Sequence, residues 1–131
     1  MIIDTSALIA MLRHESDWKV YADAVADSAD CRISAANFVE SACIIDGGRS
    51  PIASRKLDEL IKKAKITIEP VSASQALIAR AAYRDFGKGS GHPAKLNFGD
   101  CFAYALAKDI GEPLLFKGSD FSKTDIEAAI G

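Results

Sequence analysis

Four acidic residues stand where a small α/β chain gathers its chemistry: Asp4, Glu40, Asp100 and Asp120. Asp4 ends the apolar run Met1 to Ile3, Glu40 is the only charged residue between Ala35 and Ile45, Asp100 follows Gly99 at the start of an apolar helical stretch, and Asp120 lies in the turn Gly118-Ser119-Asp120-Phe121. Each also has a plain structural use. Asp4 suits a helix N-cap, Asp100 sits favourably in the first turn of a helix, and Asp120 is a common turn residue. Glu40 is the most telling, because its neighbours Phe38, Val39, Cys43 and Ile44 are apolar and no basic partner lies nearby in sequence. A carboxylate drawn toward a core is costly to desolvate unless something neutralises it. The bland alternative is a glutamate on the outer face of its helix.

Taken together, the four acids predict an acidic pocket. Oxygen donors without His or Cys suit hard cations, Mg²⁺ or Mn²⁺, whereas His14 and His92 show no spacing that fits zinc. His14 reads as a surface residue.

The elements that must position these acids follow from the apolar pattern. Met1 to Ile3 predicts a strand, with Asp4 or Thr5 capping the helix that begins before Ala7 to Leu12. A second helix covers Trp18 to Ala26. Cys31 to Ile33 predicts the second strand, after which Ser34 caps a helix carrying Phe38, Val39, Ala42 and Ile45 and ending at Gly47-Gly48. Pro51 opens an amphipathic helix with Leu57, Leu60, Ile61 and Ala64 on one stripe. Ile66 to Ile68 is the third strand, and Ser72 with Gln75 predicts a capping box for a helix running to about Phe86.

Gly87 to Pro93 reads as an exposed loop. Phe98, Cys101, Phe102 and Ala105 keep helical spacing up to Gly111, Pro113 to Phe116 is the fourth strand, and Asp125 caps a last helix, Ile126 to Ile130. Short apolar strands alternating with helices predict an α/β fold with a central, mainly parallel sheet of four to five strands covered by helices on both faces. In such a sheet, ligands bind beyond the carboxyl ends of the strands.

Length and composition agree. The chain of 131 residues holds one core and predicts a single domain over residues 1–131, and 49% apolar with 26% charged residues is ordinary for a globular protein. No apolar run approaches a membrane span, and the start has no basic segment before its apolar stretch, so neither a membrane anchor nor a secretory signal is expected. Cys31, Cys43 and Cys101, each beside apolar residues, predict buried free thiols and a reducing cytoplasm. The net charge of −2 makes no general claim on nucleic acid. Between Arg49 and Lys65, however, six basic residues oppose two acidic ones, a pattern that serves either a solvated helix face or phosphate contact.

The segments IIDTSAL, NFVE, NFGDCFAYALAK and PLLFKGSDF, in this order over essentially the whole chain, resemble the VapC toxins within the PIN-domain family. The resemblance implies a PIN-like fold in which Asp4, Glu40 and Asp100 hold or orient the metal, with Thr5 or Ser6 as the neighbouring hydroxyl. Many relatives carry Asp-x-Asp-Phe after the last strand; here Gly118 takes the first of those positions, and Asp120 alone remains for the fourth acid. It also implies a cytoplasmic endoribonuclease that cuts RNA by in-line attack of a water activated by Mg²⁺ or Mn²⁺, a homodimer, and a VapB-like antitoxin that blocks the site. Lys95 and Lys117, with Arg84 and Lys88, are candidates to contact phosphate.

Two other classes fit parts of the pattern. A non-catalytic PIN-like module binding RNA or a partner would explain Gly118. A receiver-like phospho-acceptor switch also combines acids at strand ends with a lysine after the last strand, where Lys117 sits, but no Asp ends Ile66 to Ile68.

Overall fold

The computed structural model describes all residues, 1–131. Four strands, β1 (Ile2–Ile3), β2 (Arg32–Ser34), β3 (Thr67–Glu69) and β4 (Leu114–Leu115), form one parallel sheet in the order β3-β2-β1-β4. Six helices connect them: α1 (Thr5–Leu12), α2 (Trp18–Asp27), α3 (Ala35–Asp46), α4 (Pro51–Lys63), α5 (Ala73–Phe86) and α6 (Phe98–Ile110). The expected α/β architecture is present, with four strands and helices on both faces.

The alternation of side chains along a strand explains the two layers of core. Ile3 pairs with Leu115 and stands level with Ile33, and all three point into the core made with α1 to α4, where Leu8, Tyr21, Ile45 and Leu57 meet them. Ile2 and Leu114 point to the other face and pack against Ala79, Ala82, Leu106 and Phe121. Each fully buried Ile or Leu here contributes roughly 1.5–3 kcal/mol. Because β1 sends one connection toward β2 and β3 while β4 lies on its other side, the order reverses beside β1. A crevice opens at that reversal in sheets of this kind.

Three expectations are corrected. Ile126 to Ile130 is not a helix: Leu114 donates to Glu127 O and Ala129 donates to Leu114 O, both at 2.9 Å. The segment instead pairs with the open edge of β4 through one parallel bridge between Leu114 and Ala128, a stronger demand than helix formation in five residues. Asp125 accordingly caps nothing and accepts from Tyr104 Oη at 2.6 Å and Lys108 Nζ at 2.7 Å. Cys31 and Cys101 are buried, but Cys43 is exposed, on the side of α3 away from the core. The box expected at Ser72 is half made: Ser72 Oγ accepts from Gln75 N, while the Gln75 amide reaches Asp109 on α6. The six basic residues of Arg49 to Lys65 are all exposed, as a solvated face. No helix is long and apolar enough to cross a membrane.

Candidate active site

Asp4, Thr5, Ser6, Ile9, Glu15, Glu40, Ile44, Asn97, Asp100 and Lys117 line one open cleft of about 310 Å³ at the carboxyl ends of β1 and β4. A cleft of the same size between α5 and α6 is lined by Ala76, Ala79, Tyr83, Phe98 and Phe102 and holds no acid. The acidic cleft is therefore where the predicted chemistry gathers.

Asp4 comes directly after β1 and caps α1. Its Oδ2 accepts from Ser6 N at 2.9 Å and from Ser6 Oγ at 2.5 Å, which fixes the carboxylate at the helix N-terminus. Its other oxygen, Oδ1, is buried and has no hydrogen-bond partner. Burial pushes the Asp4 carboxyl up to about 7, against the pull of both Ser6 hydrogen bonds, and the charges of Asp100 and Glu40 add to the rise.

Asp100 is held in the same way at a second helix. Asn97 caps α6, its Oδ1 accepting from Asp100 N at 2.8 Å, while Asp100 Oδ2 accepts from Asn97 N at 3.0 Å. This is a reciprocal box that satisfies two orphan donors. It commits one oxygen of Asp100 and leaves Oδ1 outside the box. Burial raises the Asp100 carboxyl, helped by the charges of Asp120 and Glu40.

Glu40 projects from α3 toward α6 and not outward. Thr5 Oγ1 donates to its Oε1 at 2.6 Å, and the fully buried Asn37 amide donates to the same oxygen at 3.4 Å. Glu40 has no basic partner. Its carboxylate lies against Gly99, where any Cβ would collide with it, so the glycine permits the close approach of α3 to α6.

The remaining candidates divide. Thr5 and Ser6 lie at the floor, bonded to Glu40 and Asp4. Lys117 is at the rim, but its ammonium is held by Glu15 at 2.6 Å and Asp17 at 3.0 Å, and its pKa is raised by them. Asp120 is exposed in the turn before Phe121–Lys123 and does not line the cleft; its field reaches Asp100. Lys95 is exposed in the loop before α6, Lys88 likewise, and Arg84 pairs with Asp85 on α5. Asn37, Asn97, Gly99 and Glu15 were not among the expected site residues. Asn97 with Asp100 three positions on was a legible capping signal, and Asn37 is one helical turn before Glu40; nothing local marks Glu15.

As donors, the residues present suit a hard cation. The set is all oxygen, and Asp4 Oδ1 is a buried carboxylate oxygen that nothing in the protein satisfies. No three acidic side chains enclose an ion by themselves. That is compatible with Mg²⁺, which keeps several waters and is commonly held by one or two carboxylates together with substrate phosphate.

The model of the PIN domain family matches residues 1–127. Ribonuclease VapC28 of Mycobacterium tuberculosis is 56% identical over 130 residues, covering 99% of this chain and 98% of the relative. Among solved structures, M. tuberculosis VapC20, described as a sarcin-ricin loop cleaving toxin, superposes with a TM-score of 0.73 at 14% identity, covering 95% of both chains. A toxin-antitoxin complex from Klebsiella pneumoniae gives a TM-score of 0.72 at 17% identity, over 99% of this chain and 94% of that one. These two likenesses speak for the fold, and the sequence identity to VapC28 speaks for the family. The chain belongs to the PIN-domain family and, within it, to the VapC ribonucleases.

Proposed function

We propose that the protein is the toxin of a toxin-antitoxin pair, an endoribonuclease of the cytoplasm that hydrolyses RNA phosphodiester bonds with Mg²⁺ or Mn²⁺. The observation that carries the reading is Asp4 Oδ1, buried and unpartnered in a cleft shared with Glu40 and Asp100. Membership of the VapC ribonucleases supplies RNA as the substrate class.

Asp4 and Asp100 would hold the cation, each through the oxygen its helix cap leaves free, and Glu40 would help to orient it from across the cleft. When bound, such an ion acidifies water and offsets charge on phosphoryl oxygens. The protein's own part is to orient and to accept a proton. Both hydrogen bonds that Glu40 receives fall on Oε1, so Oε2 remains as the proton acceptor. Thr5 keeps the carboxylate from turning. The N-termini of α1 and α6 bring partial positive charge to the cleft and favour a phosphate there. No side-chain nucleophile is required.

The toxin-antitoxin complex among the structural neighbours supports a VapB-like antitoxin as partner, whose basic side chain would pair with the acidic cleft and compete with the cation. A homodimer belongs to the same reading.

Cleavage of total cellular RNA by wild type, Asp100→Asn and Asp120→Asn in Mn²⁺, with a chelator control and folding confirmed, tests the proposal. Activity is expected in metal-loaded wild type, falling by about 100-fold or more in Asp100→Asn, the scale of a lost electrostatic contact in a transition state. Asp120→Asn should lose less than about tenfold, since Asp120 acts only through its field. Equal activity in wild type and Asp100→Asn would refute the assignment, and a folded wild type inert on every RNA would favour the non-catalytic module.

A further inference from the structure

We propose that Asn37 is a positioning residue for the reaction proposed above, holding Glu40 at a fixed place relative to the first turn of α6 that carries Asp100. The inference rests on that reading and goes beyond it, because Asn37 does not line the cleft.

Asn37 is fully buried on α3, one turn before Glu40. Its Nδ2 donates to Gly99 O at 2.9 Å and lies 3.3 Å from Thr5 Oγ1 and 3.4 Å from Glu40 Oε1. One amide thus joins α1, α3 and α6 at the point where their acids and hydroxyl meet. Its orientation follows from the acceptors. Turned over, the amide would set its own oxygen against the Gly99 carbonyl and the Glu40 carboxylate.

The cost of that orientation shows what it is for. Asn37 Oδ1 is buried with no partner, and an orphaned acceptor of this kind opposes folding. Nothing on the other side of the balance requires the amide for stability. Gly99 O lies in the first turn of α6, where the helix itself satisfies carbonyls. Glu40 Oε1 already accepts from Thr5 at 2.6 Å, and Thr5 Oγ1 already has that bond. An apolar side chain of the same volume would leave none of these atoms without a partner and would remove the orphan. What it would not do is fasten Glu40 to Gly99. Gly99 meets the same need from the other side, since only a hydrogen leaves room for the Glu40 carboxylate. Glu40 is therefore clamped between the Thr5 hydroxyl, the Asn37 amide and the backbone of the helix that begins with Asp100.

The test compares wild type with Asn37→Leu by thermal melting, by calorimetric titration with Mn²⁺ alone, and by kcat and KM on an RNA that wild type cuts. Asn37→Leu should melt no lower than wild type, bind Mn²⁺ about 10- to 100-fold more weakly, and lose kcat by a similar factor with KM unchanged, the scale expected when a group orienting a metal-site ligand is removed. Asn37→Ala also loses the donor and adds no charge; if Asn37→Leu does not fold, it carries the same expectations for Mn²⁺ and kcat. Mn²⁺ affinity and kcat within threefold of wild type, or a drop in melting temperature with both retained, would overturn the inference and leave the ribonuclease reading intact. A wild type that neither binds Mn²⁺ nor cuts RNA would overturn the reading beneath it.

Discussion

Ser6 Oγ stands between Lys117 and Asp4: it accepts from the Lys117 backbone N–H at 2.9 Å and donates to Asp4 Oδ2 at 2.5 Å. The segment leaving β4 is thus tied, through one hydroxyl, to the carboxylate that ends β1. The relationship joins Asp4 to the segment after β4, and the protonation of Asp4 is the first property to measure.

Burial raises Asp4 from 3.8 to about 7. Between those values the folded protein retains a proton that the unfolded chain has released, so the contribution of neutral Asp4 to stability is full below about pH 4 and is lost as pH rises through 7. The shift of roughly 3 units corresponds to at most about 4 kcal/mol. Asp4→Asn, neutral at every pH and an equally good cap, should melt well above metal-free wild type at pH 8 and close to it at pH 4. The same gap at both pH values would show that Asp4 ionises normally.

Cation binding requires the ionised carboxylate, so the Asp4 proton should leave as Mn²⁺ enters. Titration calorimetry in buffers of different ionisation enthalpy should record about one proton released per Mn²⁺ at pH 6 and almost none at pH 8.5. Release that does not change with pH would remove Asp4 from the ligand set.

Gly99→Ala sets two effects against each other. Alanine favours the helix by about 1 kcal/mol, whereas overpacking against the Glu40 carboxylate costs about 1–3 kcal/mol. A net loss of up to about 2 kcal/mol is expected in denaturant unfolding, together with a fall in RNA cleavage of at least about tenfold as Glu40 is displaced. Full activity in the alanine variant would mean that the two helices separate without consequence.

Lys117→Ala removes a cation from the cleft rim and leaves Glu15 and Asp17 unneutralised. These pairs are about one-third exposed, so the melting temperature should change little. KM for RNA should rise several-fold at low salt, with kcat held, and the rise should shrink as salt screens the rim. Adding Glu15→Gln and Asp17→Asn to Lys117→Ala should return KM toward wild type; if KM stays high, the ammonium itself meets the phosphates.

Much of this was legible in the chain. Periodicity marked α3 and α6, and the isolation of Glu40 in an apolar run marked it as facing inward, which it does. The C-terminal segment was misread because helical spacing in Ile126 to Ile130 carries no trace of the β4 edge that recruits its backbone. Lys117 was legible as a rim residue but its partners were not: Glu15 and Asp17 lie 102 and 100 positions away and meet it only through the fold. Asn37 escaped for a different reason. A polar residue beside Phe38 looks like helix surface until α6 is seen to cover it.

The split duty of Asp4, one oxygen given to the helix and the other to no protein group, has a consequence for how such chains decay. An asparagine or serine there would keep the cap and relieve the buried charge, so, under the role proposed for Asp4, a lineage that lost its toxicity at this position would gain robustness in the same step. Harmless descendants would be sturdier than their active ancestors, and no survey of folding would tell them apart from a better-made protein.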